Sequence, residues 1–183
     1  VGGTSGIGDS TARAFAQHRL FRIYLVGRNK EQASKIAQDI HGHNLHADMI
    51  FLNKDVSRLR AVDEVCQEIK VKEKEVDLLF LSTGISKGVT AEGLEKQLSP
   101  HYYSRMRFIV NVFPLLEAGS QRLPRVVSVL GREGDGPLIL KDLPYRKSYS
   151  MRNCAKHAIT MTSLAMEVLA RAHPSTSYIH TYP

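Results

Sequence analysis

Short apolar runs alternate along the chain with longer stretches whose apolar residues recur every three or four positions. The runs at 22–26 (R-I-Y-L-V), 49–52 (M-I-F-L), 76–81 (V-D-L-L-F-L), 125–130 (R-V-V-S-V-L) and 177–180 (S-Y-I-H) predict buried strands of a parallel sheet. The helical pattern falls at 6–18, 30–41, 58–72, 102–118 and 149–172. Strands and helices therefore alternate, which predicts an α/β fold with a doubly wound parallel sheet and helices on both faces. No internal repeat, low-complexity tract or linker interrupts the pattern, so 1–183 reads as a single domain. One irregular stretch, 131–148, is longer than ordinary connections and leaves a strand at its C-terminal end, the edge at which such sheets bind ligands.

The first helix is preceded by Gly2-Gly3-Thr4-Ser5-Gly6-Ile7-Gly8, with glycines spaced G-x-x-x-G-x-G. Glycine permits turns and close approaches that a Cβ would block, so backbone amides can point at an anion while the helix adds the positive end of its dipole. Such a loop is built to hold phosphate. In a dinucleotide-binding βαβ unit it is the outlet of the first strand. No strand precedes it here, so the domain is expected to be incomplete, without its first strand and without the substrate-binding region beyond Pro183. Apolar sheet edges and weakened stability are then expected of these residues alone.

Composition narrows the partners. A length of 183 residues with 43% hydrophobic content suits one ordinary core. A formal charge of +7 favours anionic partners in general. No basic stripe interleaved with aromatics is present, which argues against nucleic acid. The densest charged run, 68–75 (E-I-K-V-K-E-K-E), alternates sign as a solvated helix end does. No apolar run approaches membrane-spanning length, so no membrane partner is expected. Cys66 and Cys154 lie far apart with no leader pattern before them, which reads as two reduced thiols in a cytoplasmic protein.

The order of motifs resembles the short-chain dehydrogenase/reductase family over nearly the whole chain. The likeness rests on Gly2 to Gly8, on Val26-Gly27-Arg28, on Asp55-Val56, on Ser82-Thr83-Gly84 and on Tyr182-Pro183, where the family usually has Pro-Gly. It implies a Rossmann-type fold, a nicotinamide cofactor, and interconversion of a carbonyl and an alcohol on a small organic substrate. Gly2, Thr4, Ser5, Gly6, Ile7 and Gly8 would form the cofactor loop. Asp55 and Val56 would flank the adenine, and Ser82, Thr83 and Gly84 would line the cofactor's middle. In a dinucleotide fold an acidic residue after the second strand binds the adenosine ribose, whereas a basic one accommodates a 2′-phosphate. Here Leu25-Val26-Gly27-Arg28-Asn29-Lys30 carries no carboxylate, so Arg28 favours NADP(H).

The catalytic positions depart from that family. Its members carry Tyr-x-x-x-Lys on the fifth helix, where the lysine lowers the pKa of the acid/base tyrosine. Lys156 fits the lysine, and would contact the nicotinamide ribose, but Arg152 stands at the tyrosine. Arginine keeps its proton in proteins and could clamp an oxyanion without donating to it. Gly131 falls where the family serine belongs, and Ser128, three positions earlier on the strand, points to the opposite face. Counting back from Pro114 places His101 at the family asparagine. One reading is a divergent reductase in which Tyr149, two turns before Lys156, or His101 or Tyr102 replaces the missing acid. The other is a non-redox isomerase or cyclase, or a catalytically silent NADP(H)-binding protein. The segments His101 to Phe108 and Ser128 to Gly134, with Asn153 and His157, resemble a divergent branch common in fungi.

His41, His43 and His46 invite a metal reading, but their loop runs from a helix into a strand, at the edge opposite the cofactor side. No metal is expected. The resemblance also implies a homodimer through the fourth and fifth helices.

Overall fold

The computed structural model describes residues 1–17, 22–84, 88–131, 134–147 and 150–183. They group into two compact units, Val1–Asp55 and Val56–Pro183.

In the first unit, β1 (Arg22–Gly27) and β2 (Asp48–Asn53) pair in parallel from Arg22 opposite Asp48 to Gly27 opposite Asn53. Helices α1 (Gly6–Ala16) and α2 (Lys30–His43) bury one apolar stripe each. Ala12 and Ala16 of α1 meet Leu25 of β1 and Ala33, Ile36 and Ile40 of α2 in a core of small and branched side chains. The small residues on α1 allow close helix–strand approach. Asn29 starts α2 by accepting the Gln32 amide at 2.9 Å. Across the two helices, Arg13 joins Asp9 (2.6 Å) and Asp39 (2.7 Å). Helix α1 ends at Ala16, short of the expected 18, where His18 lies outside the described residues.

In the second unit three parallel strands run in the order β3 (Leu78–Leu81), β4 (Arg125–Val129), β5 (Ser177–Thr181). Leu81, Ser128 and His180 form one row across them. Strand β3 is two residues shorter than its apolar run, because the Val76 amide donates to the Leu115 carbonyl at 3.0 Å instead of joining the sheet. Helix α3 (Leu59–Lys72) buries Val62, Val65, Cys66 and Ile69. Its first amides, of Leu59 and Arg60, are taken by the Glu92 carboxylate at 2.7 and 3.0 Å. Helix α4 (Ser104–Ala118) is entered through a π-helical turn, Ser99–Tyr103, so the helical path opens three residues before the expected 102. Pro100 has no amide to give, and the Ser99 hydroxyl donates to the Ser57 carbonyl at 2.5 Å, which holds this widened turn in place. Helix α5 (Met151–Ala172) buries Cys154, Ala155, His157, Ala158, Ile159, Thr162 and Met166. Its expected start at Tyr149 lies outside the described residues.

Candidate functional site

The glycine loop in the first unit is tied to the end of β1. The amides of Gly2 and Gly3 both donate to the Val26 carbonyl, at 2.9 and 3.3 Å. Gly2 and Gly6 take left-handed backbone (φ +79° and +55°), which glycine enters without strain. At Gly3 a Cβ would collide with the Leu25 side chain, and at Gly27 it would lie 2.7 Å from the Thr4 side chain. Loop and strand end therefore close on each other only without side chains at both positions. Ser5 stands extended before α1, exposed and making no capping bond of its own. The amides of Gly6, Ile7 and Gly8 belong to the first helical turn and have no acceptor within the helix. This donor set fits a phosphate group. Arg28 is exposed where β1 passes into α2, between buried Gly27 and the capping Asn29. Asp55 follows β2 by two residues.

The second unit opens with buried Val56, whose carbonyl accepts the Ser104 hydroxyl at 2.7 Å. Ser82, Thr83 and Gly84 follow β3. The Thr83 hydroxyl donates to the Pro100 carbonyl at 2.8 Å, tying this turn to the π-helical entry of α4. Arg105, only 1% exposed, reaches the same place. Its Nη1 donates to the Leu81 carbonyl (2.9 Å) and the Ser128 hydroxyl (2.6 Å), its Nη2 to the Thr83 carbonyl (3.1 Å) and its Nε to the Pro100 carbonyl (3.2 Å). Burial lowers the pKa of this guanidinium to about 9. His101, one turn earlier, is also buried, and burial together with the Arg105 charge lowers its pKa to about 4, so it is neutral near pH 7. Its Nδ1 has no hydrogen-bond partner among the described residues. Its carbonyl accepts from Thr162 of α5 at 3.3 Å. Burial raises the Tyr102 phenol above its ordinary pKa, and pushes both Cys66 and Cys154, which are free thiols, up to about 12.

The segment after β4 is locked onto α5. Gly131 takes φ +98°, and a Cβ there would lie 2.5 Å from Ile159. The Gly136 amide donates to the Thr160 hydroxyl at 2.9 Å, and that hydroxyl lies 2.7 Å from the Gly136 carbonyl. The Ile139 amide donates to Nδ1 of His157 at 3.4 Å, so Nε2 carries the proton and donates to the Leu143 carbonyl at 3.1 Å. Lys156 lies under this segment, where a Cβ on Gly136 would be 2.7 Å from its own Cβ. Arg152, one turn earlier on α5, is exposed, and Tyr149 lies outside the described residues.

Each unit thus gathers part of the expected set: the glycine loop with Arg28 in one, and Thr83 with His101, then Lys156 with Arg152, in the other. Arg105, Thr160 and the two-sided role of His157 were not foreseen. A signal for Arg105 existed, since it falls on the stripe shared by Phe108, Ile109 and Val112, where a charge must bond internally or be excluded. His41 and His46 are exposed, and His43 bonds the Asp39 carbonyl through Nδ1 at 2.7 Å.

Parallel strands joined by helices, with a glycine loop before the first of them, define a nucleotide-binding α/β protein. The short chain dehydrogenase family profile matches residues 1–139, and the chain belongs to the short-chain dehydrogenase/reductase family. Oxidoreductase AN1596 of Emericella nidulans is 43% identical over 188 residues, covering 100% of this chain and 56% of that protein. Short-chain dehydrogenase/reductase SAT2 of Stachybotrys chartarum is 32% identical, covering 100% of this chain and 58% of its own length. The chain therefore spans little more than half of these relatives. Among solved structures, a metagenomic short-chain oxidoreductase in complex with NADP superposes with a TM-score of 0.73 at 15% identity, covering 100% of this chain and 78% of the other. An alcohol dehydrogenase from Thermococcus sibiricus complexed with 5-hydroxy-NADP gives 0.72 at 14%, covering 98% and 72%. These likenesses establish the Rossmann-type fold expected from the alternation of strands and helices. No described helix is long and apolar enough to cross a membrane.

Proposed function

We propose that the protein is an NADP(H)-dependent oxidoreductase that interconverts a carbonyl and an alcohol on a small organic substrate. The observation that carries this reading is the glycine loop bonded to the end of β1, with exposed Arg28 directly after that strand and no carboxylate from Leu25 to Lys30. Gly2, Thr4, Ser5, Gly6, Ile7 and Gly8 would hold the pyrophosphate by backbone amides, and Arg28 the 2′-phosphate by a bidentate pair. Asp55 and Val56 would bound the adenine, Ser82, Thr83 and Gly84 the middle of the cofactor, and Lys156 the nicotinamide ribose. When bound, the nicotinamide supplies or accepts a hydride. Arg152, Tyr149 and His101 would face the substrate. Arg152 would orient an oxyanion without giving up a proton. His101, neutral at working pH, would accept or donate a single hydrogen bond there.

Arg152 at the tyrosine position favours one second reading, a non-redox isomerase or cyclase, or a silent cofactor-binding protein. Stereospecifically deuterated NADPH separates the two with the full-length protein and candidate carbonyl substrates. Label in the product supports the reductase, and turnover without label transfer would refute it. Two buried free thiols support a reducing compartment, for which we propose the cytoplasm, and we propose a homodimer through α4 and α5. Neither nucleic acid nor membrane forms part of this proposal.

A further inference from the structure

Arg105 carries a full charge into the interior of the second unit, and no carboxylate among the described residues pairs with it. A buried charge without a counter-charge is costly to hold, and an apolar side chain of similar volume is often at least as stabilising. Retention of a guanidinium calls for something that only its rigid fork of five donors supplies. Its partners state what that is. Two of its acceptors are the carbonyls of Leu81 and Thr83, two residues apart at the exit of β3. A third is the carbonyl of Pro100, inside the π-helical turn that opens α4. The fourth is Ser128 on β4, the neighbour of Leu81 in the sheet. Pro100 also accepts the Thr83 hydroxyl, so one carbonyl joins both arms of the arrangement. One side chain thus ties together the end of β3, the turn after it, the start of α4 and the adjacent strand. Loss of the fork would leave three backbone carbonyls without this donor, those of buried Leu81 and Pro100 and that of half-buried Thr83.

We propose that Arg105 is a positioning residue that sets the shape of the Ser82–Thr83–Gly84 turn from behind, and through that turn the affinity for the nicotinamide cofactor. The inference rests on the reading of this turn as a cofactor contact. It does not place Arg105 in contact with the cofactor.

The experiment is a fluorescence titration of the full-length protein with NADPH, well below the melting temperature, with far-UV circular dichroism to verify folding. Folded Arg105→Met should bind NADPH about tenfold more weakly. Arg105→Lys, which keeps the charge and loses the planar fork, should fall about threefold to fivefold. Arg107→Met, on the same helix as Arg105, cuts only the exposed pair with Asp63 of α3 and should bind as the wild type does. A merely structural role would lower the melting temperature of the Arg105 variants and leave their dissociation constants alone. Wild-type affinity in folded Arg105→Met overturns the proposal. If that variant does not fold, wild-type affinity in Arg105→Lys overturns it equally. Failure of the wild type itself to bind NADPH would instead remove the cofactor reading, and this inference with it.

Discussion

At the scale of single residues, environment decides what each candidate can do. His101 was legible as a polar residue at a suggestive position after Ser99-Pro100, but its protonation state was not, because that depends on burial beside Arg105. An unfolded histidine begins to take up its proton near pH 6.5, whereas folded His101 waits until about pH 4. Between those values the unfolded chain binds more protons, so stability is fully present above 6.5 and declines as pH falls toward 4, by on the order of 3 kcal/mol. Urea denaturation of wild type and His101→Gln at pH 7 and 4.5 checks this. The variant should show a clearly flatter dependence. Some slope should remain, since burial also lowers the pKa of His180. Equal slopes would show that His101 titrates normally. Arg105 teaches the complementary lesson, for its place on an apolar stripe was written in the sequence while its four acceptors, from Leu81 to Ser128, were brought together only by folding.

At the scale of elements, periodicity located the five strands and five α-helices of the described residues but not the 3-10 turns at Ser120–Arg122 and Leu140–Asp142, and long-range hydrogen bonds moved the ends of the longer elements. Val76 left β3 for a carbonyl of α4, and Ser99 opened a π-helical turn by bonding Ser57 from 42 residues away. Local pattern cannot contain such partners. The segment after β4 is the clearest case. It reads as a long loop, yet His157 and Thr160, both within the turn of α5 that follows Lys156, fasten it to that helix. His157→Leu should leave the Ile139 amide and the Leu143 carbonyl unpaired, at a cost of about 2 kcal/mol. Hydrogen exchange at Ile139 should then quicken markedly while α4 amides keep their protection. Unchanged exchange at Ile139 would show that the segment is held by other contacts.

At the scale of the whole molecule, the order of glycine loop, Val26-Gly27-Arg28, Asp55-Val56, Ser82-Thr83-Gly84 and Tyr182-Pro183 carried the family, because the loop opens a helix and each later motif falls at or after the end of a strand. The departures at Arg152 and Gly131 were equally legible, since a missing residue type is visible without coordinates. What replaces the missing proton donor was not, as Tyr149 lies outside the described residues and His101 is buried. Val110 on α4 and Leu164 and Val168 on α5 are exposed, at 61%, 48% and 64%, and such apolar residues on two helices support the proposed pairing of subunits. Light scattering after size-exclusion chromatography of the full-length protein should give twice the chain mass, and Val110→Glu should shift it toward the monomer. A wild-type monomer at micromolar concentration would rule the dimer out.

Calorimetric titration of the full-length protein with NADPH and with NADH bears immediately on the cofactor loop and Arg28. Saturable heat is expected with NADPH, at least about tenfold tighter than with NADH, with the preference largely abolished by Arg28→Ala. No heat with either coenzyme, or equal affinity for both in the wild type, would contradict the NADP(H) assignment.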